Sequence, residues 1–376
     1  MARPDLRPIR RLPLMESYRG ALETCAFCPK LCRSACPVSN AEPRETITPW
    51  GKMSTAYFVA RGDVPLSASF AAPAWACTGC YACRESCDHR NDVASTLFAA
   101  RSSLLAAGVA PPSAAGVAVG FARHERATRH AVRELAAHPA VRPDSRTALL
   151  VGCAYARALP DEARAAIDAA AALVQGPIAL VEACCGLPLL HAGDVRRFER
   201  QALTLAEETA RRERLLVADA GCAFALRRRY VAAAATISPH VDTLAELAAR
   251  ELGRLGRATV APVEPVRLHD ACQLGRGLGV FEAPRAILTR ALGRAPDEFP
   301  THREHAACSG AGALLPRTMR AVAHAIGRAR IDEHVRAGGG RIVTSCASSL
   351  LMFRRLGARA DDLSTWIATA APAWQP

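Results

Sequence analysis

In the second half of the chain, short apolar runs alternate with long stretches of mixed character. The runs are Ala148–Val151, Leu215–Val217, Val266–Leu268 and Ile342–Thr344, each the length of a buried strand. Between them, Asp161–Gln175 reads as a helix, opened by Asp161 and Glu162 and stopped by Gly176. Asp194–Arg212 and Arg317–Arg336 read as longer amphipathic helices. Strand–helix alternation predicts α/β units with parallel pairing, and such sheets gather ligands at the carboxyl ends of their strands. The first third reads as helical, with Asn91–Ala107 its clearest helix and Asn91 or Asp92 as the cap. The most apolar stretch, Leu104–Val119, is broken by Pro111-Pro112, so no membrane span is expected. The start, Met-Ala-Arg-Pro, has no apolar core and does not read as a secretory signal.

These elements organise the 376 residues into five parts. An Arg- and Pro-rich lead covers 1–20, and a helical domain covers 21–110. A linker and helix at 111–144 begin beside a Pro-rich hinge at Ala110–Ser113. Two α/β units follow at 145–255 and 262–376, joined by Ala261-Pro262-Val263-Glu264-Pro265.

Composition narrows the class. Half the residues are hydrophobic and 22% are charged, as in a globular protein. Aromatics are only 5%, so the core is built mainly from Ala, Leu and Val. The net charge of +13 invites a nucleic-acid reading, but 46 of the 48 basic residues are Arg, Lys30 and Lys52 being the exceptions. The arginines are spread along helices and form no tract, so no nucleic-acid binding is expected; attraction to an acidic partner protein is the better use of the charge.

The cysteines decide the chemistry. There are 15, an odd number, and eight of them lie between Cys25 and Cys87. Clustered thiols without a secretory signal indicate metal rather than disulfides. Cys77, Cys80, Cys83 and Cys87 read C-x2-C-x2-C-x3-C, the bacterial ferredoxin spacing for a [4Fe–4S] cluster. Three thiolates on a tight loop can wrap one face of a cubane while the fourth serves a second cluster. Small residues between them, Thr78, Gly79 and Ala82, let backbone N–H groups approach the sulfides. Cys25, Cys28, Cys32 and Cys36, followed by Pro37, form a second run with one extra residue between the second and third Cys. The ferredoxin pattern implies crossed ligation: Cys25, Cys28, Cys32 and Cys87 for one cluster, and Cys77, Cys80, Cys83 and Cys36 for the other. Zinc sites usually pair two C-x2-C knuckles across a longer loop, which suits these eight less well.

The other seven cysteines repeat. Cys153, Cys184-Cys185-Gly186 and Cys222 stand 32 and 37 residues apart, counted on Cys185; Cys272, Cys308 and Cys346 stand 36 and 38 apart. Each sits just past an apolar run or in a loop before a helix. Matching intervals at so long a period indicate an internal duplication.

The chain resembles the CCG-domain iron–sulfur oxidoreductases. These include the iron–sulfur subunits of glycolate oxidase and of lactate utilisation, the C subunit of anaerobic glycerol-3-phosphate dehydrogenase, and heterodisulfide reductase. His269-Asp270-Ala271-Cys272 resembles that family's His-Asp-Pro-Cys element. The resemblance implies an α+β multidomain protein: a helical two-cluster ferredoxin-like domain followed by two duplicated α/β CCG units. The family motif has five cysteines per unit. Here Ala225 stands at the last position of the first unit, and Ala307 and Ser349 replace two cysteines of the second. The first unit thus offers Cys153, Cys184, Cys185 and Cys222 to a further iron–sulfur cluster or a zinc ion. The second offers Cys272, Cys308 and Cys346, with His269 and His305 as nearby candidates for a fourth ligand, or is an inert degenerate copy.

Gly275, Gly277 and Gly279 only faintly resemble a dinucleotide fingerprint, because position 280 is Val, and they read as turn residues. The chain holds places for electrons and none recognisable for a hydride. The expected function is therefore an iron–sulfur electron-transfer subunit of an oxidoreductase complex. It would relay electrons between a flavoprotein dehydrogenase, oxidase or electron-transfer flavoprotein and a quinone or other acceptor. It is expected in the cytoplasm, or at the membrane surface through a partner. A reductase of a disulfide or similar substrate at the CCG site and a zinc-stapled, non-redox interaction protein are the alternatives.

Overall fold

The structure is a computed structural model, and it describes residues 11–28, 31–233, 235–259 and 263–375. The first ten residues of the lead and Ala261-Pro262 of the linker lie outside the described residues. The chain divides into two compact units. The first comprises residues 1–120, 188–195 and 307–328, and the second comprises 121–187, 196–306 and 329–376.

The first unit is helical. Its principal helices are Arg19–Ala26, Pro49–Arg61 and Val93–Ala106, packed around Trp75, Tyr57, Met53 and Leu97. Leu12 and Met15, from the lead, are part of this core. Two of these helices begin where the sequence supplies a start. Thr48 caps Pro49–Arg61, with its hydroxyl accepting the Gly51 N–H at 3.0 Å and Pro49 at the first position. Asp92 caps Val93–Ala106 by accepting the Ser95 N–H at 2.9 Å. Asn91, the other candidate cap, is used differently, as described below. The proline pair at 111–112 opens the long helix Pro112–Leu135 at its first turn, where a missing N–H costs nothing.

The second unit carries two four-stranded parallel sheets. The first orders its strands β2-β1-β3-β4, from β1 (Thr147–Leu150), β2 (Ala179–Leu180), β3 (Arg214–Val217) and β4 (His240–Thr243). The second repeats the order as β6-β5-β7-β8, from β5 (Val266–Leu268), β6 (Asp297–Glu298), β7 (Arg341–Thr344) and β8 (Ala360–Asp362). Identical order in both sheets is the duplication seen in the cysteine spacing. The two copies pack reciprocally. The helix after β8 (Leu363–Ala370) lies on Pro160–Val174, which follows β1, and the helix after β4 (Leu244–Arg250) lies on Glu282–Leu292, which follows β5. Pro160–Val174 ends on Gln175 in the left-handed conformation, one residue before the Gly176 expected to stop it. Gly275 and Gly277 are close-packing positions rather than turn residues: a Cβ there would stand 2.5 Å from the Phe281 ring and 2.6 Å from the Phe224 ring.

Candidate metal centres

In the first unit the eight cysteines of the two runs fall into two groups. Cys25, Cys28, Cys32 and Cys87 border one cavity together with Cys83, Trp50 and Asn91. Burial, then the neighbouring charges of Cys32, Cys87 and Cys28, push the Cys25 thiol up to about 12. Burial, with the charges of Cys87, Cys28 and Cys36, pushes Cys32 up to about 11. Asn91 donates its amide to Cys25 Sγ at 3.1 Å and to Ala21 O at 2.8 Å, so it braces a sulfur instead of capping a helix. The other group gathers Cys77, Cys80 and Cys83 with Cys36. Burial raises Cys83 well above the usual thiol range, and the charges of Cys80, Cys77 and Cys36 add to it. The loop carrying Cys77 and Cys80 turns through left-handed backbone at Gly79 and Tyr81. The Gly79 N–H donates to Cys77 Sγ at 3.4 Å.

Two buried cations adjoin this second group. Lys52 donates its ammonium to Cys36 Sγ at 3.3 Å. Arg101 is fully buried and donates to the carbonyls of Cys77, Ala74, Ala313 and His191. Desolvation lowers Arg101 to about 10, and the charge of Cys77 opposes that.

The donor chemistry fits iron–sulfur clusters. Thiols pushed this far up stay protonated at neutral pH unless a metal displaces the proton, which is how ligation couples to such a site. Lys52 and Arg101, buried among them, have anions to face only when those thiols are thiolates.

The second unit assembles the first CCG set at the carboxyl ends of β1 and β3. The thiols form a chain of contacts from Cys153 to Cys184, on to Cys185 and then to Cys222. Cys153 is held low chiefly by a hydrogen bond from the Cys184 thiol, with burial opposing and His124 assisting. Cys185 is likewise held low by Cys184 and Cys222, and those two thiols are correspondingly raised. Asp219 accepts the N–H groups of Gly221 and Cys222 at 2.7 and 3.1 Å and fixes the last loop. Gly186 adopts left-handed backbone, as the turn after the CC pair requires.

Two residues that the cysteine spacing could not reveal reach this set from Pro112–Leu135. Glu125 Oε2 accepts the Cys184 N–H at 3.2 Å. His124 Nε2 lies 3.7 Å from Cys184 Sγ, and the donor atoms of His124, Cys153 and Cys184 all lie within 4.8 Å of one another. That spacing would suit a metal ligand, but the other ring nitrogen argues otherwise. Nδ1 meets Arg157 Nη1 at 2.7 Å, and a guanidinium can only donate. Nδ1 is therefore the acceptor and Nε2 carries the proton, so the ring presents an N–H donor to the sulfurs.

Of the second CCG set, two cysteines belong to the second unit and one to the first. Cys272 and Cys346 share the second unit, and burial raises Cys346 to about 12, with Asp219 and Cys272 contributing. The Ser349 hydroxyl and N–H donate to Cys346. Cys308 belongs to the first unit, its thiol 3.6 Å from Thr78 Oγ1 and its sulfur accepting the Gly310 N–H at 3.3 Å. Neither candidate histidine serves these cysteines. His269 is a core residue, buried edge-on to Phe299 and Phe353, with Nδ1 accepting from Arg330 Nε at 3.3 Å. His305 is exposed beside Glu304.

A 4Fe-4S dicluster domain matches residues 21–91, and a cysteine-rich domain, CCG, matches residues 147–227 and again 266–354. The chain is therefore a CCG-domain iron–sulfur protein: a dicluster domain followed by two cysteine-rich domains. Among curated proteins, it is similar to the D subunit of dihydromethanophenazine:CoB–CoM heterodisulfide reductase from Methanosarcina barkeri, at 32% identity over 81 residues. The corresponding protein from Methanosarcina mazei is 35% identical over 81 residues. Each match covers 22% of this chain and 20% of the relative, so the chain spans about a fifth of the length of the curated relatives it matches. Among the described residues, no helix is long and apolar enough to cross a membrane.

Proposed function

We propose that the protein is an electron-transfer subunit of an oxidoreductase complex, holding two [4Fe–4S] clusters in its dicluster domain. Cys25, Cys28, Cys32 and Cys87 are the ligands of one, and Cys77, Cys80, Cys83 and Cys36 of the other. The observation that carries this reading is the crossed grouping of the two runs, Cys87 beside Cys25 and Cys36 beside Cys83. Such clusters take up and release single electrons at potentials set by their surroundings. The chain supplies those surroundings: N–H donors from Asn91 and Gly79, the ammonium of Lys52, and burial of the sulfurs. Electrons are expected from a flavoprotein partner, with a quinone or another small acceptor beyond, and the complex in the cytoplasm or at the membrane face.

Cys153, Cys184, Cys185 and Cys222 are the ligands of a further metal at the first CCG site, either a cluster or zinc. His124 supports them as a hydrogen-bond donor. The disulfide-reductase reading draws on the names of the relatives, but Ala225, Ala307 and Ser349 leave both five-cysteine motifs incomplete. Cys272, Cys308 and Cys346 accordingly rank last as ligands.

The test is elemental. Anaerobically purified full-length protein should contain about eight irons with matching sulfide in the dicluster domain, from two cubanes. Cys36→Ser should perturb the spectrum of the cluster held by Cys77, Cys80 and Cys83 and spare the other. Zinc in place of iron, or loss of the Cys25 cluster in Cys36→Ser, would overturn the assignment.

A further inference from the structure

Lys52 is one of two lysines in a chain with 46 arginines, and it lies in the interior of the first unit at 2% exposure. A buried ammonium requires an anion close by. At the buried Arg285 the anions are carboxylates, those of Asp270 and Glu298. At Lys52 it is sulfur. Nζ donates to Cys36 Sγ at 3.3 Å.

The other cysteine group has a different neighbour. Among the described residues, a neutral amide, that of Asn91, donates to it at 3.1 Å from Cys25 Sγ. Among the described residues the two groups therefore differ by a buried positive charge, and Arg101, also buried, adds to the same side through the Cys77 carbonyl at 3.1 Å.

We infer that Lys52 sets the electrical polarity of the dicluster domain: its ammonium stabilises the reduced form of the cluster held by Cys36, Cys77, Cys80 and Cys83 over that of the cluster held by Cys25, Cys28, Cys32 and Cys87. This rests on the two-cluster reading above. The added electron increases the negative charge at the sulfurs, and a cation in contact with them in a low-dielectric interior favours that state strongly. The favoured group is the one whose loop residue Thr78 touches Cys308 in the same unit. It thus has the higher potential and is the resting place of an electron within this domain.

The experiment is a mediated redox titration of anaerobically purified full-length protein, followed by electron paramagnetic resonance, with iron counted in the same samples. Lys52→Met should shift one midpoint downward by at least a tenfold change in the reduction equilibrium, about 59 mV for one electron, and leave the other in place. The signal that moves should be the one that Cys36→Ser perturbs. Lys52→Arg, which keeps the charge, should stay near the wild-type value. Unmoved midpoints at full iron content, or equal shifts in Lys52→Met and Lys52→Arg, would overturn the inference. Iron missing from the wild type would instead overturn the two-cluster reading. If Lys52→Met loses its iron, the wild-type titration decides: the signal perturbed by Cys36→Ser must have the higher midpoint, and a lower one overturns the inference.

Discussion

A hydrogen-bond donor from outside both repeats reaches the first CCG set. His124 is held in one tautomer because Arg157 occupies Nδ1, so its Nε2–H faces Cys184 and Cys153. Outer partners of this kind typically change metal affinity about 10- to 100-fold when removed. His124→Ala should therefore lose its metal to a chelator about 10-fold more readily than wild type. His124→Gln, which can still offer an N–H, should recover most of the difference. Metal retained per chain after chelation, measured by mass spectrometry, checks this; equal losses in both variants would reassign His124 to packing alone. The cysteines were legible in the sequence because their spacing is itself the ligand geometry. His124 and Lys52 were not, because their roles depend on which helix faces lie over the sulfurs. A trace of Lys52 was nonetheless present: in a chain that writes Arg almost everywhere, a lysine retained at position 52 is a departure with a cause.

At the level of elements, the short apolar runs predicted the central strands and missed the outer ones. β1, β3, β5 and β7 each pair on both sides and are buried, so they are written in Leu, Val and Ile. β2, β4, β6 and β8 are edge strands of two to four residues. Two of them, His240–Thr243 and Asp297–Glu298, are polar enough to pass for loop, as edges partly open to solvent can be. The segment after Ala306 was also illegible. It reads as part of the second repeat, with a helix over Arg317–Arg336, yet residues 307–328 fold into the first unit. Gly312 explains how it fits there: a Cβ would stand 2.2 Å from the Thr78 carbonyl oxygen, so only glycine permits that approach. Gly312→Ala should destabilise the protein by about 2 kcal/mol, in the range of overpacking a closed contact. Asp92→Ala, which removes only a helix cap, should cost about 1 kcal/mol. Urea midpoints should therefore fall further for Gly312→Ala than for Asp92→Ala, and a Gly312→Ala midpoint equal to wild type would show that the loop yields freely.

On the scale of the whole second unit, the duplication is what makes a stable body from two small sheets. Neither sheet exceeds four strands, and each copy covers the other with a helix. The seam between copies carries a buried polar contact: the Tyr155 hydroxyl, from the first repeat, donates to Asp362, in the second. Asp362 also caps Leu363–Ala370 by accepting the Ser364 N–H at 2.8 Å. Burial dominates its titration and raises it from 3.8 to about 6, against the lowering effect of the Tyr155 and Ser364 hydrogen bonds. The direction of the consequence follows from proton counting. Between about pH 4 and pH 6 the folded chain binds a proton at Asp362 that the unfolded chain has released. This group's contribution to stability is therefore most favourable below about pH 4, falls as pH rises through about 6, and is level above. A shift of this size corresponds to at most about 3 kcal/mol at neutral pH. Asp362→Asn keeps an acceptor for the cap and carries no charge to bury. It should be more stable than wild type above about pH 6, with the advantage shrinking to nothing near pH 4. Tyr155→Phe removes one of the bonds that favour the carboxylate and should be less stable than wild type at about pH 7. Urea unfolding of the three proteins from about pH 4 to about pH 8 tests the pair, and a difference between Asp362→Asn and wild type that does not vary with pH would mean that Asp362 is not the group responsible.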